Sequence, residues 1–247
     1  MIELERPRDI GALFGDSLSV FFRHAPVFLA LSAAVTVPVH LVVEGFGLSA
    51  FTAGYDETLD PAETGVLAAV TFLVVSPLIT AICIHALRSV AAGGRPGARR
   101  SFLSGFEAFT PLFFAVLLAA VGIALGLLAL ILPGIYLAVR WFFVPQAVVI
   151  EGARGPAALT RSGETVRGFW WRTFGLVILA NLAATIPTLL FTAPFTAIAV
   201  STDRAVWSMV GTICAGTITT PFVALFATFL WYDLRARRAT AQGPSTA

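Results

Sequence analysis

The polar residues of this chain that could do chemistry lie inside apolar stretches, where a charged group is costly and usually finds a partner. Arg140 lies within the stretch Pro133–Glu151. Glu44 ends an earlier stretch at a comparable depth, and His40 lies one helical turn before it on the same face. We predict that Arg140 pairs with Glu44, with His40 nearby. Such a pair would either fix helix register or bind a substrate or lipid head group, and we favour the structural role.

A second set of charged residues lies at the other end of that stretch. Its members are candidate anchors at one membrane face, where an arginine attracts anionic lipid by about 1 kcal/mol. Arginines in these positions also set membrane topology. Glu151 is expected to pair with Arg161 or Arg154, mainly for structural reasons. The candidate anchors are Glu151, Arg154, Arg161, Arg167 and Arg172.

No motif of a known catalytic or cofactor site accompanies these residues. The sequence contains no CxxC, HExxH, P-loop or Gly-x-Ser-x-Gly pattern, and no dinucleotide-binding glycine motif that opens a helix after a strand. His24, His40 and His85 are spread over different helices, which argues against a metal triad. Cys83 and Cys214 lie in apolar runs and imply no disulfide. We therefore predict no enzyme activity, no cofactor or metal, and no nucleic-acid partner.

The composition is that of a membrane protein. The 247 residues are 57% hydrophobic and 12% charged, with a mean hydropathy of +0.87. A soluble domain is about 45–50% apolar and about 25% charged. The polar surface is too small to solvate a globule, so most of the outer surface must face lipid.

Six stretches reach the roughly 20 apolar residues that a helix needs to cross a bilayer. They run from about 26 to 45, 65 to 90, 111 to 132, 134 to 151, 173 to 200 and 206 to 232. Pro133-Gly134 predicts a tight turn between the third and the fourth. Fourteen of the sixteen basic residues, all of them arginine, fall on one side of this arrangement. The positive-inside rule makes that side cytoplasmic, with both termini there, in a multi-pass protein of the cell membrane.

The spans come in pairs, each preceded by a short amphipathic stretch typical of a helix in the headgroup plane. Leu18-Ser19-x-Phe21 followed by Pro26 matches Leu103-Ser104-x-Phe106 followed by Pro111 at equal spacing. The even spans each carry one internal proline: Pro77, Pro145 and Pro221.

We predict an all-α polytopic membrane helix bundle of about six transmembrane helices and three short interfacial amphipathic helices. This domain spans residues 1–238 and is built from repeat units of roughly 9–92, 98–152 and 156–238. A disordered cytoplasmic tail is predicted for 239–247.

Part of the chain resembles a known family. The run Leu132–Gly152, then Ala158-Leu-Thr-Arg-Ser162 and Gly168-Phe-Trp-Trp-Arg172, resembles the membrane domain attached to some prokaryotic glycerophosphoryl diester phosphodiesterases. In the fused enzymes a separate soluble barrel hydrolyses glycerophosphodiesters, and its His-Arg and paired carboxylate motifs have no counterpart here. The resemblance therefore implies a membrane module that lacks the phosphodiesterase activity, and no catalytic residue carries over.

These features favour a non-enzymatic integral membrane protein with an accessory or scaffold role in membrane or lipid homeostasis. Its expected partners are membrane lipids, with another membrane protein or a lipid enzyme as a further candidate. One alternative is a transporter or lipid-translocating protein, which a polar cavity between the repeats would support. A second alternative is an intramembrane lipid-modifying enzyme, which would need two polar groups within hydrogen-bond reach in a headgroup-level pocket.

Overall fold

A computed structural model describes residues 3–43, 54–55, 61–94 and 97–242, and every regular element in these ranges is a helix. The predicted all-α class is confirmed. A π-helical turn, Thr71–Val75, joins α3 to α4. The α-helices are α1 (Ile10–Arg23), α2 (Ala25–Val43), α3 (Pro61–Val70), α4 (Ser76–Ala91), α5 (Ala98–Glu107), α6 (Phe109–Ala129), α7 (Ile131–Arg140), α8 (Val144–Glu151), α9 (Pro156–Val166), α10 (Trp170–Thr202) and α11 (Val206–Gln242).

Within the described residues, six helical segments are long and apolar enough to cross a bilayer. A helix suits that environment because it satisfies its backbone groups internally. The protein is therefore a multi-pass helical membrane protein, with spans close to the six predicted ones. The segments are Ala25–Val43, Gly65–Ala91, Phe109–Ala129, Ile131–Glu151, Trp170–Thr202 and Val206–Ala241.

The end of the chain differs from its prediction. Helix α11 continues through Gln242, so residues 239–242 are helical and the expected disordered tail is wrong for them. Residues 243–247 lie outside the described residues.

The short helices α1, α5 and α9 connect the three repeat units into a ring. Helix α5 packs on α4, and α9 packs on α8, so each contacts the second span of the preceding unit. Helix α1 belongs to the first of these units, and it packs on α11 of the last one. The Phe14 ring of α1 lies 6.4 Å from the ring of Phe222 and 4.7 Å from that of Phe226, measured between centroids. Helix α1 thereby connects the first unit to the last and completes the ring.

The second span of each unit lies inside the bundle and the first span outside. In the most apolar window of each span, the protein buries 44%, 39% and 56% of the second, fourth and sixth, but only 33%, 28% and 11% of the first, third and fifth. The three inner spans are the ones that carry Pro77, Pro145 and Pro221. The repeat therefore places three prolines in the centre of the membrane domain.

Two of these prolines coincide with distorted helix. Pro77 follows the π-helical turn, and Pro145 follows a non-helical break at 141–143. Proline lacks the N–H that would bond four residues back, and its ring clashes with that carbonyl, so the preceding turn widens or opens. Pro221, in contrast, lies inside the continuous helix α11.

Helix α9 compensates for the break in the fourth span. The backbone N–H of Phe143 donates to Ser162 Oγ at 3.1 Å, and that hydroxyl donates to the Arg140 carbonyl oxygen at 2.9 Å. Ser162 is buried. An unpaired backbone group at this position would cost several kcal/mol in an apolar medium, by order of magnitude. One serine from an adjacent amphipathic helix removes that cost.

Pro133-Gly134 does not form the predicted turn. Helix α6 ends at Ala129, Leu130 is extended, and α7 begins at Ile131. Pro133 therefore lies in the first turn of α7, where a missing N–H breaks no helical bond. Gly134 instead allows close packing of α6 and α7, because a Cβ added there would lie 2.7 Å from the Leu127 backbone nitrogen.

We predict that Gly134→Val lowers the thermal unfolding midpoint of the detergent-solubilised protein, since overpacking of this kind costs about 1–3 kcal/mol. Gly175→Val is the matched control, because a Cβ at Gly175 meets no atom within 4 Å. Equal unfolding midpoints for the two variants would contradict the assigned role of Gly134.

Candidate functional site

A cavity of about 630 Å³ lies between the second to sixth spans. It is in the middle of the membrane domain, since Pro77, Ala119, Trp141, Thr185 and Val223 all line it and all lie near the centres of their spans. Its volume is within the roughly 300–1,000 Å³ of small-molecule sites. The lining residues are Phe72, Ser76, Pro77, Thr80, Val116, Ala119, Ile123, Ala138, Trp141, Phe142, Val144, Pro145, Gln146, Asn181, Ala184, Thr185, Thr188, Leu189, Thr219, Thr220, Val223, Ala224 and Ala227.

The lining combines apolar side chains with uncharged polar ones, and no ionisable side chain is among the lining residues. Four of its threonines donate their hydroxyl protons to carbonyl oxygens one turn back in their own helices. The oxygen lone pairs of these hydroxyls can still accept hydrogen bonds. The bonds are Thr80 to Ser76 at 2.7 Å, Thr185 to Asn181 at 2.9 Å, Thr188 to Ala184 at 2.8 Å and Thr219 to Ala215 at 2.9 Å.

Gln146 is a polar residue of this lining whose side-chain oxygen has no partner among the described residues. Its side chain is buried, with 2% of the residue exposed, and Oε1 has no hydrogen-bond partner. Leaving a buried amide oxygen unpaired costs about 1–3 kcal/mol. The sequence places this acceptor beside Pro145, on the inner span that is broken at 141–143. Oε1 itself has almost no accessible surface, so protein atoms enclose it beside the cavity.

The cavity opens sideways, toward the region that lipid occupies. Phe72 of the π-helical turn is 53% exposed and Leu189 of α10 is 60% exposed, and both line it. Helix α10 forms one wall and packs mainly on α11. A ligand can therefore enter between α10 and the π-helical turn without crossing the bundle.

Neither His40 nor Arg140 lines this cavity. Arg140 is exposed at the end of α7, where Nη1 lies 3.5 Å from the Tyr136 hydroxyl. Its side chain crosses Gly163, where an added Cβ would lie 2.7 Å from Nε. His40 is buried in α2. Glu44 lies outside the described residues, so its pairing with Arg140 stays a prediction.

The predicted anchors lie at one end of the bundle, in several separate contacts. Glu151 accepts a hydrogen bond from Arg235 at 2.9 Å, and it lies 3.8 Å from Arg161. Arg161 also pairs with Glu164 at 3.2 Å. Arg154 is exposed, and within the described chain it forms no ion pair.

Arg167 and Arg172 belong to different contacts. The Arg167 carbonyl oxygen accepts from Arg238 at 2.6 Å. Arg172 reaches the Asp233 carboxylate at 3.2 Å and the Arg8 carbonyl oxygen at 2.8 Å. The structure thus brings Glu151 and Arg161 together, but directs Arg172 to an acid that the sequence analysis did not single out.

Asp233 is the centre of this missed cluster. Its side chain has no exposed area, and it accepts from the Arg8 backbone N–H at 2.6 Å, from Arg237 at 2.9 Å and from Arg172 at 3.2 Å. These bonds join the segment before α1 to the start of α10 and the end of α11. The available signal was a single acid followed closely by Arg235, Arg237 and Arg238 at the end of an apolar span.

Arg8 is buried with Asp233. Its guanidinium donates to Asp16 at 2.8 Å and to the carbonyl oxygens of Glu3 at 2.6 Å and Leu4 at 2.7 Å. It also lies 4.9 Å from the centre of the Phe229 ring, a cation–π distance. Arg8 is one of the arginines from which the positive-inside rule gives the membrane topology, and it is also part of the packed fold.

The fold and the cavity define a polytopic α-helical membrane protein with an uncharged polar site at mid-membrane depth. The chain belongs to the DUF7847 family, described as a domain of unknown function, whose sequence model matches residues 64–234. Comparison with curated proteins and with solved structures gives no match.

We predict that Asp233→Asn destabilises the protein by on the order of 3 kcal/mol, because the change leaves the partly buried Arg172 and Arg237 without their counter-charge. The thermal unfolding midpoint in mild detergent measures this effect. Glu164→Gln is the matched control, since Glu164 is an exposed member of a surface pair worth about 0–1 kcal/mol. A midpoint for Asp233→Asn as high as that of the control would contradict the role of Asp233.

Asp16 gives a prediction about pH. Burial tends to raise the pKa of its carboxyl, but the hydrogen bonds from Arg8 and Arg6 outweigh burial and hold the pKa below its ordinary value. A lowered folded-state pKa stabilises the protein above the unfolded value of about 3.9, and this contribution disappears as the pH falls through the folded value. Asp16→Asn should therefore lower the unfolding midpoint at neutral pH, and the difference from wild type should shrink below about pH 4. A difference that is constant from neutral to acid pH would contradict this assignment.

Proposed function

We propose that this protein is a non-enzymatic lipid-binding accessory protein that takes up a bilayer lipid into its mid-membrane cavity. The cavity is the observation that carries the proposal. Its polar lining and its opening toward lipid suit an amphiphile that enters from the bilayer. This cavity is the site at which the protein would perform the accessory role predicted from the sequence.

A purely structural scaffold explains the lining of the cavity poorly. A surface that only packs against lipid needs no side-chain amides or hydroxyls, yet Asn181, Thr185 and Gln146 are among the lining residues. Polar side chains at this depth in a membrane are costly and usually functional.

The lining supports binding better than catalysis. General acid–base and nucleophilic mechanisms need a titratable or activated group beside the reacting atom. The residues that line this cavity offer hydroxyls, four of them bonded to their own helices, amides and an indole, and none of them is ionisable. We therefore retain the prediction of a non-enzymatic protein.

The arginine-rich end suits the membrane side of this role. Several of its arginines are exposed, and in the described part of the chain they form no ion pair: Arg23, Arg88, Arg99, Arg100 and Arg154. We propose that this end faces the cytoplasm and contacts anionic lipid or a partner enzyme that uses the bound lipid. The resemblance to phosphodiesterase membrane domains is consistent with such a partner and remains a prediction.

Lipid translocation is a second candidate, favoured by one observation. The π-helical turn and the 141–143 break lie beside the cavity on two inner spans, and transporters commonly build midplane sites from interrupted helices. Accelerated exchange of a labelled phospholipid between the leaflets of proteoliposomes would favour this candidate over simple uptake.

The test of lipid uptake is to fill the cavity. Ala184 lines it and is 9% exposed. We predict that Ala184→Phe lowers the amount of co-purified lipid per protein, measured by mass spectrometry after gentle detergent extraction, by at least several-fold.

Ile186→Phe is the matched control, because Ile186 lies on the same helix but is 72% exposed. Co-purified lipid in this control should equal that of wild type. Equal lipid content in wild type and Ala184→Phe would contradict the proposal, provided that Ala184→Phe unfolds at the wild-type temperature.

A further inference from the structure

A second pocket, of about 570 Å³, lies at the arginine-rich end of the protein, among the segment before α1, α1 itself and the end of α4. We propose that this surface pocket binds the head group of a zwitterionic phospholipid with a primary ammonium, of the phosphatidylethanolamine type. It shares no lining residue with the mid-membrane cavity, so the inference does not depend on lipid uptake there. Its polar side chains are Glu3, Arg6, Asp16, Ser19, Arg23 and His24.

The buried Arg8 fixes the wall of the surface pocket that precedes α1. Its guanidinium donates to the carbonyl oxygens of Glu3 at 2.6 Å and Leu4 at 2.7 Å. It also donates to Asp16 of α1 at 2.8 Å, and Arg6 donates to the same carboxylate oxygen at 2.8 Å. Because these bonds hold Glu3 and Arg6 beside α1, the pocket is formed before a ligand arrives.

Two groups of opposite charge in the surface pocket are left for a ligand. Asp16 already has two arginine partners, Arg6 and Arg8. Glu3 and Arg23 are exposed, and neither forms an ion pair within the ranges that the structure describes. A ligand with one negative and one positive group can pair with both, whereas a purely anionic head group would meet Glu3 with like charge. Charge complementarity therefore favours a zwitterion.

The donors of the lining suit the phosphate of such a head group. Ser19 and Arg23 lie one turn apart on α1, and His24 follows directly, so a hydroxyl, a guanidinium and an imidazole line the same region. All three can donate to phosphate oxygens, and an arginine does so in bidentate fashion. The backbone N–H groups of Gly93 and Gly94 are already used, since they donate to carbonyl oxygens of α4 at 2.9 and 3.0 Å. The phosphate is therefore expected at Arg23.

The carboxylate of Glu3 suits the other half of the head group. An ionised carboxylate accepts hydrogen bonds and donates none. A primary ammonium offers three N–H donors and a positive charge to it. The trimethylammonium of phosphatidylcholine has the same charge but no N–H. Glu3 should therefore distinguish these two zwitterionic lipids.

Exposed apolar side chains beside the pocket favour a lipid over a soluble ligand. Leu18 and Phe22 of α1 are exposed, and each directly precedes a lining residue, Ser19 or Arg23. Acyl chains can extend along this apolar face while the phosphate lies at Arg23, as on a helix in the headgroup plane. Free phosphoethanolamine has the same charged groups but would use none of the apolar surface.

The experiment measures equilibrium binding to the full chain in mild detergent. The ligands are labelled phosphatidylethanolamine, phosphatidylcholine and phosphatidylglycerol with identical acyl chains, and free phosphoethanolamine. Wild type is compared with Glu3→Gln and Arg23→Gln. The matched controls are Glu5→Gln and Arg99→Gln, because Glu5 and Arg99 are exposed and do not line the pocket. The comparison of ligands on wild type tests the inference whatever the stability of a variant.

Wild type should bind phosphatidylethanolamine about fivefold more tightly than phosphatidylcholine, as one exposed charge-assisted pair provides. Glu3→Gln should remove this preference and strengthen phosphatidylglycerol. Arg23→Gln should weaken all three phospholipids about fivefold, because they share the phosphate. Glu5→Gln and Arg99→Gln should match wild type. Free phosphoethanolamine should bind at least about tenfold more weakly than the lipid, since it buries no apolar surface.

Several results would overturn the inference. Equal affinity for phosphatidylethanolamine and phosphatidylcholine, or tighter binding of phosphatidylglycerol, would contradict the role of Glu3. An equal loss of affinity in Arg23→Gln and Arg99→Gln would show general attraction by the arginine-rich end in place of a site. Free phosphoethanolamine binding as tightly as the lipid would assign the pocket to a soluble ligand. None of these results bears on uptake into the mid-membrane cavity, which Ala184→Phe tests.

Discussion

The bonds to the buried carboxylate of Asp233 close the fold. Residues 225 positions apart meet there, since Arg8 donates its backbone N–H to this acid. Arg172 and Arg237 satisfy the remaining lone pairs and also reach the Arg8 carbonyl. Without this junction α1 would retain only its apolar contacts with α11. This closure holds α1 against the bundle, in which α11 also packs directly on α2 and α4.

The cavity follows from a second constraint, that backbone groups in lipid must be satisfied within the protein. Prolines at the centre of the inner spans loosen the preceding turn in two of three units, and each loosened turn lies beside the cavity. In the fourth span Ser162 of α9 satisfies the opened backbone. The short helix α9 therefore stabilises an irregular backbone in the fourth span, beside the cavity.

Much of this architecture can be predicted from sequence, because the bilayer imposes a length and a composition on each span. The six spans, the three amphipathic helices and the prolines of the even spans follow from local patterns. The π-helical turn and the 141–143 break do not follow from local patterns, because the helix is distorted before Pro77 and Pro145 but continuous at Pro221. Contacts with neighbouring helices decide whether a proline distorts its helix. Pro133-Gly134 misleads because that pair is typical of turns, whereas here the glycine serves close packing. The cavity could not be predicted, because Ser, Thr, Asn and Gln in apolar helices carry no periodic signal. Asp233 was missed because a single pair with Arg237, one turn away, is ordinary at a helix end, whereas the partners Arg8 and Arg172 are distant in sequence.

The closure of α1 on α11 has a consequence for biogenesis. During synthesis α1 leaves the ribosome well before α11, the helix on which it packs. Phe14 and Arg8 must therefore remain without their partners in α11 while the first five spans are inserted. Such a non-local junction makes completion of the fold late and slow. It also means that a chain truncated before Asp233 keeps most of its apolar helices but lacks the bonds that hold the segment before α1 against α11.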